Sequence, residues 1–272
     1  MHKKMKLAFI AALVLLAIAF CAYIVLPDDY VYKEKISNHV YDTISLIIVI
    51  TVFIAYKVTA PESRDRKRWL FLLIGMIGWF LGDVTWTIMI YMGIDPLPSP
   101  ADIFYIIGYV AVLVAVIIKY LNIKNRADRR DYTNSIFVTA CILAVISYFV
   151  LHPIAASDYD LLNKVILIFY PVIDTIILLF AVIVISASDF DTKSMPWLGI
   201  GIGITLWVIA DTMTAYFEWS EVESVFNSMT DVIFVAGLLA IGIGAVYRKI
   251  IADEHLVTNP PARQPKPEVA AA

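Results

Sequence analysis

Six aspartates and four aromatic side chains stand out in a chain otherwise poor in charge: Asp42, Asp83, Asp102, Asp174, Asp211 and Asp231, with Trp79, Trp86, Tyr105 and Trp207. Trp79 precedes Asp83 by four residues and Trp207 precedes Asp211 by four, so on a helix each indole shares its carboxylate's face. Trp86, three residues beyond Asp83, adds a second aromatic. Carboxylates above an aromatic floor suit a cation or an amine, through charge and through the negative face of the ring. The plainer reading is that the indoles pack the core while the acids form a polar network that holds helix register. For Asp102 and Asp231 helix capping is the first expectation. Ser99-Pro-Ala-Asp102 and Ser228-Met-Thr-Asp231 each place Ser at an N-cap and Asp three residues on, with Pro100 at the tolerated first helical position.

The elements that carry these residues are set by hydropathy. Of 272 residues 61% are hydrophobic and 17% charged, with a mean hydropathy of +0.80, which places the chain outside the soluble globular class. Apolar runs long enough to cross a bilayer core occur at about 7–26, 37–57, 69–92, 101–120, 132–152, 163–187, 197–218 and 228–247. The first follows a basic N-terminus, but its apolar core continues through Ala22 to Leu26 past any small-residue cleavage site, which predicts a retained helix rather than a secretory signal. Lys and Arg gather before helix 1, between helices 2 and 3, between helices 4 and 5 and after helix 8, all on one side of an eight-span topology. Only Lys193 marks the remaining inner loop, between helices 6 and 7. Both termini are therefore expected in the cytoplasm, with the chain in the plasma membrane. The basic residues are accounted for by topology, and no nucleic-acid partner is expected. Cys21 and Cys141 lie inside apolar runs and are expected as small buried hydrophobes. The four histidines are too scattered to suggest haem or a metal, and no cofactor is expected.

The chain is also written twice. Trp69–Asp83 aligns with Trp197–Asp211, so that Trp69/Trp197, Trp79/Trp207 and Asp83/Asp211 share one offset. Ser99–Gly108 pairs with Ser228–Gly237, Asp42-Thr-Ile with Asp174-Thr-Ile, and the end of helix 1 with the end of helix 5. This predicts an all-α integral membrane protein of eight transmembrane helices, built as two parallel four-helix repeats about an axis along the membrane normal. Repeat 1 covers about 1–125 and repeat 2 about 126–249, with 250–272 as a disordered cytoplasmic tail. Gly78 with Gly82, and Gly199 with Gly203, form small-residue faces for close helix approach.

Asp42, Asp83, Asp174 and Asp211 each sit about 14–15 residues, roughly 21 Å, from the cytoplasmic end of their helices. They are expected in one layer of the outer half of the bilayer, with Asp102 and Asp231 just above, three carboxylates to each half. A charge on a lipid-facing helix is costly, so the acids are expected to face the bundle interior. No Lys or Arg lies at that depth. The acids must be protonated, hydrogen-bonded to neighbours such as Thr43, Thr85, Thr175 and Thr212, or neutralised by something that enters from outside. The halves differ: Trp86 becomes Thr214, Tyr105 becomes Phe234, and the prolines of Pro96–Pro100 are lost. The first half is expected to carry any binding.

The series Trp69…Trp79-x-x-Gly82-Asp83-x-x-Trp86, then Pro98-Ser-Pro-Ala-Asp102-x-Phe104-Tyr105-x-x-Gly108-Tyr109, resembles the multi-pass membrane region found ahead of output domains in some prokaryotic sensor histidine kinases and diguanylate cyclases. The resemblance covers helices 3 and 4 well and the rest by helix count. It implies a membrane input module for signal transduction, with Asp83 and Asp102 at the motif positions. No kinase, cyclase or PAS-like domain fits between Arg248 and Ala272, so the expectation is a module without its own output domain that works with a separate cytoplasmic partner. The alternative is a small-solute or cation transporter, which repeated halves with intramembrane polar residues also suit. Pro171, three residues before Asp174, is the one candidate kink. An intramembrane aspartyl protease would want a glycine where Phe80 stands. No phosphate loop, nucleophile triad or metal-ligand cluster is present, and no enzymatic activity is expected.

Overall fold

The computed structural model describes residues 2–27, 29–94, 99–188, 194–220 and 225–258. Every regular element among them is helical, and eight helices are long and apolar enough to cross a membrane. The chain is a multi-pass membrane protein. We number the spans α1 (His2–Phe20, continued by a π turn Cys21–Val25), α2 (Lys33–Lys57), α3 (Arg64–Tyr91), α4 (Pro100–Ile123), α5 (Arg129–Ile146, continued by a π turn Ser147–Leu151 and a last turn His152–Ala156), α6 (Leu161–Ser186), α7 (Met195–Ser220) and α8 (Val225–Thr258).

Helix starts follow capping chemistry. Ser63 Oγ accepts the Asp65 N–H at 3.1 Å to open α3, and Asp160 accepts the Asn163 N–H at 3.0 Å to open α6. Ser99 and Asp102 form a capping box at α4, with Pro100 as its first residue. The counterpart expected at Ser228 does not form. α8 already begins at Val225, so Ser228 and Asp231 lie within the helix. The physical difference is Pro100: a residue before proline is pushed out of the helical region, and Ser99 is indeed extended, at φ −142° and ψ 168°. Asn227-Ser228-Met229 carries no such stop. At the proposed kink, α6 runs unbroken through Pro171, whose missing N–H deprives the Leu167 carbonyl of its usual donor.

Two close helix pairs organise the bundle, α3 with α4 and α7 with α8. A Cβ on Gly78 would come within 2.9 Å of the Gly108 Cα, and a Cβ on Gly199 within 3.1 Å of the Gly244 Cα, so in each pair the backbones touch. Gly108 and Gly237 are also where the indoles of Trp79 and Trp207 lie on the facing helix. α2 packs on α3 and α8, while α6 packs on α7 and α4. Facing stripes of α3 (Trp69, Leu72, Met76, Trp79) and α7 (Trp197, Ile200, Ile204, Trp207) fill one core, and every one of these residues is buried. The ring centroids of Trp69 and Trp197 are 5.9 Å apart, those of Trp79 and Trp207 3.6 Å.

α1 and α5 are peripheral, α1 against α8 and α5 against α6. This is why Cys21 and Cys141, expected to be buried, are free and exposed: each sits on a helix that turns most of its surface away from the bundle. α8 continues to Thr258, so residues 250–258, expected as part of a disordered tail, are helical. Lys249 and Asp253, four residues apart, hold that extension with a 2.6 Å ion pair, and Lys4 lies 3.7 Å from the same carboxylate. Lys193, residues 96–98 and residues 259–272 lie outside the described residues.

Candidate functional site

One cavity of about 660 Å³ lies between the two close helix pairs, with walls drawn from α1, α2, α3, α4, α6, α7 and α8. It collects Asp42, Asp83, Asp102, Asp211 and Asp231, together with Trp79, Trp86, Tyr105 and Trp207. Nine of the ten residues singled out above therefore line one space, where two groups of three carboxylates had been expected. Asp174 is the exception. It is buried behind Asp211, with the two carboxyls close enough to share a hydrogen bond, and its Oδ2 has no partner. Two carboxyls can bond to one another only when one carries the proton.

The hydroxyls that serve the acids are not the expected ones. Thr43, Thr85, Thr175 and Thr212 each donate to the carbonyl four residues back in their own helix, at 2.7–2.8 Å. A threonine in an apolar helix has this acceptor always within reach, and its helical neighbour points away around the axis. The acids are instead served from other helices. Asp83 accepts from Ser45 of α2 at 3.0 Å and from Tyr105 of α4 at 3.1 Å. Asp211 of α7 accepts from Tyr109 of α4. Asp102 accepts its own capping N–H from Ser99 at 2.8 Å and the Tyr170 hydroxyl of α6 at 2.5 Å. Asp42 lies beside Thr87.

Two of these bonds, Tyr109 to Asp211 and Tyr170 to Asp102, tie the first four helices to the last four across the cavity. The rings that carry them form a continuous aromatic wall. Trp207 lies against Trp79, Trp79 against Tyr109 at 5.3 Å, and Tyr109 against Tyr170 at 5.5 Å. Ser45 and Tyr170 were not singled out from the sequence, and Tyr109 stood in the α3–α4 motif without a role assigned to it. The spacing held a signal for one of them, since Tyr170 precedes Asp174 by four residues as Trp79 precedes Asp83. Its bond, however, goes to a different helix, which intrahelical spacing does not reveal.

No lysine or arginine is among the described residues that line it. The nearest cations in sequence are engaged elsewhere: Lys35 Nζ sits 5.0 Å from the Tyr91 ring centroid, and Lys164 donates to the Ala155 carbonyl at 3.2 Å. Among the described residues no group of three or more His, Cys, Asp or Glu side chains converges as a metal site. The carboxylates stand around the wall of a space wide enough for a small organic molecule. Along the same two helices Leu72, Met76, Ile200 and Ile204, with the Trp69/Trp197 pair, form a buried apolar layer. No protein-family model, curated protein or solved structure matches this chain.

Proposed function

We propose that this protein is a membrane-embedded sensory input module whose acidic, aromatic cavity takes a small organic cation or amine from outside the cell. In this reading the chain sits in a prokaryotic plasma membrane as two parallel four-helix repeats with both termini in the cytoplasm, and the cavity opens outward. The observation that carries it is the gathering of five carboxylates around one aromatic-walled space with no lysine or arginine among the described residues that line it. Unpaired acids in such a space favour a cationic guest, and stacked rings add attraction through their faces. The repeat is supported by equivalent glycine and indole contacts in both close helix pairs and by a π turn at the end of both α1 and α5. A route to signalling follows from the cross-cavity bonds. A guest that engages Asp102 or Asp211 competes with Tyr170 or Tyr109 and so changes how the halves are held, giving the two-state element that a ligand must bias. The resemblance of the α3–α4 motif to sensor membrane regions points the same way.

The test is thermal unfolding of the purified protein with a panel of alkylamines, quaternary amines and inorganic cations, in wild type and Asp83→Asn. A ligand at about a hundredfold its dissociation constant adds about 2.7 kcal/mol of stability. The expected outcome is an amine-dependent rise in midpoint that Asp83→Asn abolishes; a variant that responds like wild type to every amine would remove the proposal.

A further inference from the structure

A second concavity, of about 550 Å³, lies at the opposite end of α3 from the acidic cavity. Its rim is cationic, with Arg64, Arg66 and Lys67 from the start of α3 beside Ser63, Tyr56 and Asn122, and Glu62 as the acid among its lining residues. Its inner wall is apolar, formed by Leu70 of α3 with Ile118 and Leu121 of α4. The order of these groups is dictated by the helices. Six residues separate Arg64 from Leu70, roughly 9 Å of rise, and along α4 Asn122 and Leu121 lie at the helix end with Ile118 a turn further in. Charge therefore sits at the rim and hydrocarbon follows it into the span.

The rim is part rigid and part free. Arg66 is committed, donating to the Thr59 carbonyl at 3.0 Å and to the Tyr56 hydroxyl at 3.4 Å, with its guanidinium 4.6 Å from the Tyr56 ring centroid. Arg64 and Lys67 are exposed and pair with no carboxylate among the described residues. The amide end of α3 adds partial positive charge at the same place. Leu70 is 37% exposed and Leu121 52%, so the wall below the free charges is open to lipid.

We infer that this groove is a binding site for an anionic phospholipid, whose phosphate sits between Arg64 and Lys67 while an acyl chain lies along Leu70, Ile118 and Leu121. The chemistry is that of a basic pocket between transmembrane helices, and the apolar wall selects a lipid over a soluble phosphate, which has nothing to place there. This site is independent of the acidic cavity and stands whether or not that cavity binds amines.

The test uses the full chain, delipidated in detergent and titrated with phosphatidylglycerol, phosphatidylcholine or inorganic phosphate, with retained lipid read by native mass spectrometry and stability by thermal unfolding. Phosphatidylglycerol is expected to be retained and to raise the midpoint where phosphatidylcholine and phosphate do not. The double variant Arg64→Gln/Lys67→Gln should weaken retention by about thirtyfold, on the order of fivefold for each charge removed. Arg129→Gln/Arg130→Gln, at the start of α5, should keep it. Equal losses in the two double variants would mean diffuse surface charge, and an equal rise with phosphate alone would mean a soluble anion; either result overturns the proposal. A phosphatidylglycerol with a photoreactive acyl chain should label the Leu70, Ile118 and Leu121 wall in the unaltered protein, and labelling spread evenly over α1 and α5 would also overturn it.

Discussion

The two sides of the acidic cavity share a scaffold and differ in how their acids are held. On the α3–α4 side Asp83 has two hydroxyl donors, one from a neighbouring helix on each flank, Ser45 and Tyr105. On the α7–α8 side Phe234 stands where Tyr105 does, and Asp211 depends on a tyrosine sent across from α4 and on the adjacent carboxyl of Asp174. Asp102 is fixed by a capping box and Tyr170, whereas Asp231 lies within an uninterrupted helix. The indoles differ too: Trp207 Nε1 donates to the Phe234 carbonyl at 2.9 Å, while Trp79 Nε1 has no partner. A backbone contact is reproduced on both sides because it needs only glycine, but a polar network needs hydroxyls, and these are supplied mainly by the first half and by Tyr170. The cavity is consequently one asymmetric site shared between halves rather than two copies of one site.

The largest effect should come from the part the sides have in common. A side chain at Gly108 or at Gly237 meets an indole and then the carbonyl of Gly75 or Gly203, at 3.1 and 2.9 Å from an added Cβ. Gly108→Leu and Gly237→Leu should each destabilise by about 3 kcal/mol, the upper end for overpacking. Thermal unfolding of both variants checks it, and a large difference between them would break the picture of an equivalent scaffold.

The next effect should expose the difference. Tyr109→Phe leaves Asp211 with no hydroxyl donor and only the Asp174 carboxyl, itself incompletely paired, beside it, and should cost about 1–3 kcal/mol, the penalty of a buried acceptor that loses its donor. Tyr105→Phe should cost less, about 0.5–1.5 kcal/mol, the net worth of one hydrogen bond, because Ser45 still serves Asp83. Equal midpoints for the two variants would show that the cross-cavity bond matters no more than the local one.

The smallest effect is a repair. Phe234→Tyr places on α8 the hydroxyl that α4 carries at Tyr105, and a gain of no more than about 1 kcal/mol is expected from one new hydrogen bond. Combined with Tyr109→Phe, it should recover part of that variant's loss. Failure to recover any would mean that Phe234 is not placed as its counterpart is.

Hydropathy alone determined the eight helices long and apolar enough to cross a membrane, because such a helix satisfies its own backbone and must merely be apolar over its length. The offset matches did more, since they put Trp69 with Trp197 and Trp79 with Trp207 in register, and the structure brings both pairs into contact. Spacing also singled out nine residues that line the cavity, since an acid on an apolar helix has one favourable direction to face. Tertiary structure decided the rest. Which hydroxyl meets which carboxylate depends on how adjacent helices are rotated, so the threonines beside the acids turned to their own carbonyls while tyrosines from other helices took their place. Asp174, written into the chain as the twin of Asp42, ended behind Asp211, because a position repeated in sequence still takes its surroundings from the helices packed against it.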